Sequence, residues 1–598
     1  MHRISIPALD RSITCGEDET LFAAARRSGL RIVGACGGRG TCGSCVVRVS
    51  EGHVHRTRAP ADKQWLRACC AQPRSDLVLE VAPRSLAPIV RADVARADEA
   101  PLPFDPSLTQ AEVQVAPASL ADLASDADRL RRALAPLRPA SIELSAAAAL
   151  PTLLRQHDWR VSVRMTREAA PRIVGFASPG APLLGLAVDL GTTNVAAFLI
   201  DLSNCQRLAS LGLENPQAAW GADLISRINH AIQDPSAAMS QRTAAVEVIN
   251  ALAHDLAREV GASPLDIADV VICGNTAMQH LLAGWPVAQL GRAPFVAAMN
   301  EAADVPARDL GLRVAAGANL HLAPSIGGFV GGDHVTALLA TEPLWSQPGA
   351  TLVMDIGTNT EISLVHEGQI WSASCPSGPA LEGGHIACGM RAAEGAIERV
   401  AIDASGALQL QVIDGGEPVG LCGSGVLDAL AALVRAGWVD ARGRIAGQGP
   451  AIGTCDGIRA VTLAEETADT PAIRFTQHDV RAVQLAKAAI RTGTQLLAEQ
   501  AGLDEHQIDR FVIAGAFGAY IDIASAVAIG LLPPLPRERF TQVGNAAGLG
   551  VRQMLASRER RQRASQLATQ CRYVELSSRS DFQKTFLHHI GFPPRDKK

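Results

Sequence analysis

Five of the thirteen cysteines fall between Cys36 and Cys70. Cys36, Cys42 and Cys45 have the spacing C-x5-C-x2-C, and the pair Cys69-Cys70 follows more than twenty residues later. Thiolates are soft, anionic ligands, and four of them complete a [2Fe–2S] cluster. Gly34, Gly37, Gly38, Gly40 and Gly43 surround the first three cysteines. They allow a loop to wrap closely around an inorganic core and to turn backbone N–H groups towards its sulfurs. A zinc site would require a second Cys-x2-Cys or a His pair. That second pair is absent, although His53 and His55 are near in sequence. Iron is therefore the expected metal. Cys15 reads as a small packed residue.

A second set of residues points to phosphate chemistry. The segments Gly185–Asn194 and Thr351–Thr360 repeat one pattern, an apolar strand ending in Asp-x-Gly-Thr and followed by another strand-like run. In the first copy the residues are Asp189, Gly191, Thr192 and Thr193. In the second they are Asp355, Gly357, Thr358 and Asn359. Glycine permits a tight turn and close backbone approach to a phosphate, while hydroxyl and N–H groups donate to its oxygens. An aspartate at the strand end suits Mg²⁺ held through water. A third element, Phe511–Gly518, runs an apolar strand into a turn containing Gly515 and Gly518, a surface for an adenosine face. Asp333 closes the Gly-rich stretch from Gly327. It is a candidate to orient an attacking water or hold Mg²⁺, with an N-cap role for the next helix as the structural alternative. Gly420–Gly425 reads as another ligand loop. Val543–Gly550 reads either as support for the nucleotide site or as a packing turn. The loop carrying Ser377–Ala380 and Glu382–Gly384 has no assigned partner.

These groups require scaffolds. Strand-like His2–Ile6, a helix over Thr20–Leu30, and strands at Val46–Val49 and Leu77–Val81 make residues 1–84 a small α/β unit around the cysteine loop. Pro, Ala and Asp dominate residues 85–106, read as a linker. Residues 107–182 mix a strand (Ala111–Val115) with helices (Leu120–Leu134, Leu150–Gln156), a small α+β middle domain. From 183 to 598 the pattern is periodic α/β with the internal repeat. The stretch from Arg558 reads as a helical and loop tail, and the basic run Arg558–Arg563 as a solvated helix face.

Composition sets outer limits. With 598 residues, several cores are expected. Hydrophobic residues make up 47% and charged residues 19%, an ordinary globular balance. A formal net charge of -5 without a clustered basic face argues against nucleic-acid binding. The opening residues lack a secretory apolar region, and no apolar run is long enough for a membrane span. Single scattered cysteines outside the cluster do not form a secreted disulfide framework. A reducing cytoplasm is the expected location.

The segment Ala35–Cys45 resembles the cluster loop of plant- and vertebrate-type [2Fe–2S] ferredoxins. That resemblance implies Cys69, in Ala68-Cys69, as the fourth ligand beside Cys36, Cys42 and Cys45, with Cys70 an inert neighbour. The two Asp-x-Gly-Thr hairpins and Phe511–Gly518, in that order, resemble the actin/Hsp70/sugar-kinase superfamily. The expected fold is thus multidomain α/β: an N-terminal β-grasp ferredoxin-like domain, a small α+β middle domain, and a C-terminal duplicated RNase H-like, actin/Hsp70-type ATPase domain. The combination, with the helix Val483–Ile490, resembles the reductive activators of corrinoid-dependent methyltransferases through nearly the whole chain. The resemblance implies a homodimer that takes electrons from an upstream reductase. It would use ATP and Mg²⁺ to pass one electron from its [2Fe–2S] cluster to the Co(II) form of a corrinoid protein, restoring Co(I). The alternatives are an ATP-driven electron donor to another enzyme, and a small-molecule kinase with a redox domain.

Overall fold

The computed structural model of the chain describes residues 1–7, 11–28, 32, 45–56, 65–82, 85, 101–137, 139–221, 223–467, 470–515 and 517–594. The N-terminal unit is a five-stranded sheet in the order Arg11–Cys15, His2–Ile6, Leu77–Val81, Val46–Glu51, Trp65–Arg67. Its first strand pairs parallel with Leu77–Val81, through Ile4 and Leu77, and antiparallel with Arg11–Cys15. The helix Leu21–Arg27 is the crossover, giving the β-grasp arrangement. It starts at Leu21 because the Thr20 hydroxyl accepts from the Ala23 N–H. Leu30 lies outside the described residues. Strand Leu77–Val81 alternates buried and half-buried residues, so one face seals a core of Ile4, Ile6, Leu21, Phe22, Val47 and Leu79.

The next unit is a four-stranded sheet in the order Leu108–Gln114, Arg160–Thr166, Arg172–Ala177, Ser141–Ile142, with its own core around Leu130, Leu154, Val161 and Val163. The helix expected from Leu120 begins instead at Asp126. Ser125 caps it by accepting from the Asp128 N–H, and Leu120 and Leu123, which mimic helical periodicity in sequence, are exposed upstream of the cap.

Two six-stranded sheets form the rest. The first runs Gln206–Glu214, Asn194–Asp201, Leu184–Leu190, Ile267–Gly274, Asn319–Leu322, with Ala303–Pro306 at the edge. The second runs Gln369–Cys375, Thr360–His366, Thr351–Ile356, Arg510–Ala514, Phe540–Gly544, with Cys571–Tyr573 beside Gln369–Cys375. In each, the first strand in chain order is antiparallel to the second and parallel to the fourth. The sequence repeat is therefore a repeat of topology. Central strands such as Ile267–Gly274 are buried at every position, as strands covered on both faces must be. Helices Gly332–Trp345 and Ala546–Ala556 lie between the halves. Val335, Leu338, Val551 and Met554 pack in one cluster with Ala187 and Val271 of the first sheet and Val353 and Val512 of the second.

Two expectations at the C-terminus need correction. The stretch from Arg558 carries the expected helices, Arg558–Gln570 and Phe582–His589, but between them the strand Cys571–Tyr573 extends the second sheet, so it is not only helix and loop. Nor is Arg558–Arg563 a solvated face. Arg561 pairs with buried Asp269 at 2.6 Å, Arg560 and Arg563 both reach Glu342 at 2.9 and 2.7 Å, and Arg558 holds Asp105 at 2.7 Å. The same Asp105, at the end of the expected linker, donates its N–H to Ala556. These arginines tie three distant segments together.

Candidate functional site

The two hairpin turns face each other across a cleft with a cavity of about 150 Å³. Asp189 and Asp355 stand next to last in the strands Leu184–Leu190 and Thr351–Ile356, each delivered to the cleft by the strand that precedes its turn. Lining the cleft are ten of the expected nucleotide-site residues: Asp189, Gly191, Thr192, Thr193, Asp333, Asp355, Gly357, Thr358, Asn359 and Gly515. Gly518 is not among the lining residues. Its carbonyl accepts from the Gln542 amide at 2.7 Å, a structural role behind the turn. Two glycines are required by local geometry. A Cβ on Gly191 would lie 2.7 Å from the Asn194 carbonyl oxygen. At Gly515 φ is +94°, and a Cβ would lie 2.5 Å from the Ile356 carbonyl oxygen and 2.9 Å from Asp355 Oδ1.

Asp333 enters from the first turn of helix Gly332–Trp345. The N-cap is Gly331, so Asp333 does not cap this helix, and its carboxylate instead accepts the His334 N–H at 2.8 Å. Among the other lining residues, three polar side chains bear on the site. Asn545, the N-cap of helix Ala546–Ala556, places the Gly-rich stretch Val543–Gly550 at the cleft. Glu382, from the loop without an assigned partner, accepts from Thr358 Oγ1 at 2.6 Å and Thr193 Oγ1 at 3.1 Å. Glu361 follows the second turn and is 5% exposed. Its position directly after the repeated motif was the available signal. Gly420–Gly425 forms a short strand and the start of helix Gly423–Ala436, and does not line the cleft.

The carboxylates perturb one another. Burial, then the charge of Asp333, raises Asp189 to about 7. Burial, then Asp333, Asp189 and Glu382, raises Asp355 to about 8. Burial raises Asp333 to about 6. Burial with Asp333 and Asp355 pushes Glu361 well above the usual carboxylate range. Among the described residues no Lys or Arg pairs with any of these four. Such a cluster of hard oxygen donors fits a divalent cation. Among the described residues no three His, Cys, Asp or Glu side chains are placed to hold one metal ion directly.

In the N-terminal unit, Cys45 immediately precedes strand Val46–Glu51, and Cys69 and Cys70 sit in the single 3-10 turn Ala68–Cys70. The Ala68 N–H donates to the Cys45 carbonyl at 2.7 Å, which fixes the two segments side by side. Cys45, Cys69 and Cys70 are all buried, and the Cys69 and Cys70 sulfurs are 3.8 Å apart. Cys36 and Cys42 lie outside the described residues. Cys45 and the pair Cys69-Cys70 are thus buried on two adjoining segments. Cys15 is packed at the end of its strand.

Fold and site together define a ferredoxin-type domain joined to an actin-like ATPase. Comparison with known proteins agrees over the length of the chain. Residues 7–74 match the 2Fe-2S iron-sulfur cluster binding domain, 97–180 the RACo linker region, 184–343 the RACo middle region, and 349–598 the C-terminal domain of RACo, the ASKHA domain. The family's "linker" thus carries the four-stranded sheet, and its "middle region" the first of the two repeated halves. The corrinoid activation enzyme RamQ of Eubacterium limosum is 30% identical over 99% of both chains. The [Co(II) methylated amine-specific corrinoid protein] reductase of Methanosarcina barkeri is 25% identical over 63% of this chain and 71% of its own. A solved structure, the reductive activator for corrinoid,iron-sulfur protein, superposes with a TM-score of 0.74 at 31% identity, covering 100% of this chain and 99% of that one. The chain belongs to this family of corrinoid activation enzymes. No helix among the described residues is long and apolar enough to cross a membrane.

Proposed function

We propose that this protein uses ATP to drive one electron from a [2Fe–2S] cluster to the Co(II) centre of a corrinoid protein, restoring Co(I). The observation that carries the reading is the presence, in one chain, of a cluster domain and a cleft where two Asp-x-Gly-Thr hairpins converge on buried carboxylates. Cys36, Cys42, Cys45 and Cys69 hold the cluster, which when bound supplies a one-electron carrier. Asp189, Asp355 and Asp333 hold a hydrated Mg²⁺ against the ATP phosphates. The Thr192, Thr193 and Thr358 hydroxyls and the turn N–H groups at Gly191, Gly357 and Asn359 donate to phosphate oxygens, while the Gly515 turn admits the adenosine.

ATP is required on energetic grounds. Co(I) is a strong reductant, plant-type clusters sit near about -400 mV, and each ~100 mV uphill costs about 2.3 kcal/mol for one electron. A nucleotide that binds two arrangements of a protein unequally shifts their balance by several kcal/mol. In this reading the ATPase halves grip the corrinoid protein and alter the cobalt's surroundings. The segment 85–106 lets the cluster domain (1–84) move between an upstream reductase and the cobalt, with the small domain (107–182) between it and the ATPase (183–598). The protein works as a cytoplasmic homodimer.

Electron paramagnetic resonance tests the transfer. After anaerobic mixing of reduced protein, Mg-ATP and a Co(II) corrinoid protein, the reduced-cluster and Co(II) signals are expected to disappear in equal amounts. A cluster that stays reduced beside unchanged Co(II) would refute the reading.

A further inference from the structure

We infer that Glu361 takes the proton from the water that attacks the γ-phosphoryl group of ATP. The inference rests on the nucleotide reading of the cleft given above. Its basis is a comparison of the two halves, whose strand registers align residue by residue. Across the first sheet one row runs Cys273, Asp189, Ala196, Gly212. The equivalent row across the second runs Ala514, Asp355, Glu361, Ser374. Directly paired residues in neighbouring strands project from the same face, and Ala196 and Glu361 both line the cleft. The next pairs along the same faces are Phe198 with Ser210 in the first half, and Ser363 with Ser372 in the second.

The repeat thus supplies two equivalent aspartates and one carboxylate that has no counterpart. A symmetric pair suits a shared metal–phosphate unit. Hydrolysis is asymmetric: one water attacks from one side, in line with the leaving group. Within the paired rows Glu361 is the extra carboxylate, while Asp333 and Glu382 reach the cleft from outside them. Burial makes a carboxylate costly to keep without a cation, and Glu361 forms no ion pair among the described residues. Alanine meets the packing requirement at the equivalent place in the first half. The Ser374 hydroxyl donates to Glu361 Oε1 at 3.4 Å and orients it. Asp333, whose Oδ1 accepts the His334 N–H, is assigned with Asp189 and Asp355 to the metal side.

In the step, the water oxygen bonds to the γ-phosphorus as the bond to the bridging oxygen breaks, leaving ADP. With Glu361 ionised beside the cation that accompanies ATP, the water proton passes to its carboxylate and then to the phosphate product. No redox change occurs.

The test is Glu361→Gln, which preserves shape, in the full-length protein with Glu361→Asp and Asp333→Asn beside it. Turnover of ATP by Glu361→Gln is expected to fall at least roughly 100-fold, the size of a lost general base. Mg-ATP affinity, measured by equilibrium binding, should stay within about threefold of wild type, and chromatography of the bound nucleotide should find intact ATP where wild type holds ADP. Glu361→Asp should recover part of the rate, and Asp333→Asn should weaken Mg-ATP binding. Wild-type turnover in Glu361→Gln, or loss of binding together with turnover, would overturn the assignment, as would ATP trapping by Asp333→Asn alone. A wild-type protein that neither binds nor hydrolyses ATP would instead overturn the nucleotide reading beneath it.

Discussion

Thr193 Oγ1 and Thr358 Oγ1, from the two halves, lie 2.5 Å apart, and Glu382 Oε2 is within hydrogen-bond reach of both, at 3.1 and 2.6 Å. The hairpin tips therefore meet at the place assigned to the phosphates, with a carboxylate as the acceptor. On the proposed placement of the phosphates, nucleotide would displace Glu382 from these hydroxyls. Hydrogen bonds to a charged group contribute roughly 1.5–3 kcal/mol. Glu382→Ala should accordingly tighten ATP binding by about tenfold, and Thr358→Val should weaken it. Titration with a fluorescent ATP analogue checks both. Weaker binding in Glu382→Ala would place Glu382 among the nucleotide's own ligands.

The raised carboxyls make stability depend on pH. In the nucleotide-free fold Asp189 titrates at about 7 and Asp355 at about 8, against ~4 in the unfolded chain. Between these values the folded state binds more protons than the unfolded state. Stability is thus fully present at low pH and falls as pH rises towards 8, by at most ~1.4 kcal/mol per pH unit for each carboxyl. Urea midpoints from pH 5 to pH 8 should decline. Asp355→Asn should flatten the decline, and Mg-ATP should reduce it.

Arg561 and Asp269 form a nearly buried pair, with side chains 12% and 1% exposed. Removing the arginine leaves the aspartate uncompensated. Arg561→Met should destabilise the ATPase unit by about 3–5 kcal/mol, measured by urea denaturation. A surface substitution such as Arg131→Met, at an exposed i,i+3 pair, should change stability by less than ~1 kcal/mol.

The cysteine assignment separates neighbours. Cys69→Ser and Cys42→Ser should each abolish most of the cluster, seen as lost iron and lost visible absorbance. Cys70→Ser should retain both. Cluster loss in Cys70→Ser with retention in Cys69→Ser would reverse the two roles.

What the sequence made legible was local. Asp189 and Asp355 announce themselves because strand, aspartate and glycine turn occupy ten consecutive residues, twice. Glu382 and Glu361 were harder. Glu382 reaches Thr193 across 189 residues, a separation that only the folding together of two halves closes. Glu361 follows the repeated motif directly, but its register beside Asp355 and its contrast with Ala196 emerge only in the fold. The arginines from 558 to 563 read as a solvated face for the same reason: their partners Asp105, Asp269 and Glu342 lie hundreds of residues upstream. The helix start misplaced to Leu120 shows the opposite limit. There the apolar spacing of Leu120 and Leu123 imitated a helix that Ser125 caps further on.

The central claim is that ATP drives the electron to cobalt. Its most direct test is anaerobic visible spectroscopy of a Co(II) corrinoid protein from the same organism, mixed with this protein and a reductant, with and without Mg-ATP. Co(I) absorbance should appear with Mg-ATP, be absent without it, and be absent with Asp355→Ala or Cys42→Ser. Equal Co(I) formation without ATP would contradict the claim, as would no Co(I) at all from a protein with an intact cluster and measurable ATP hydrolysis.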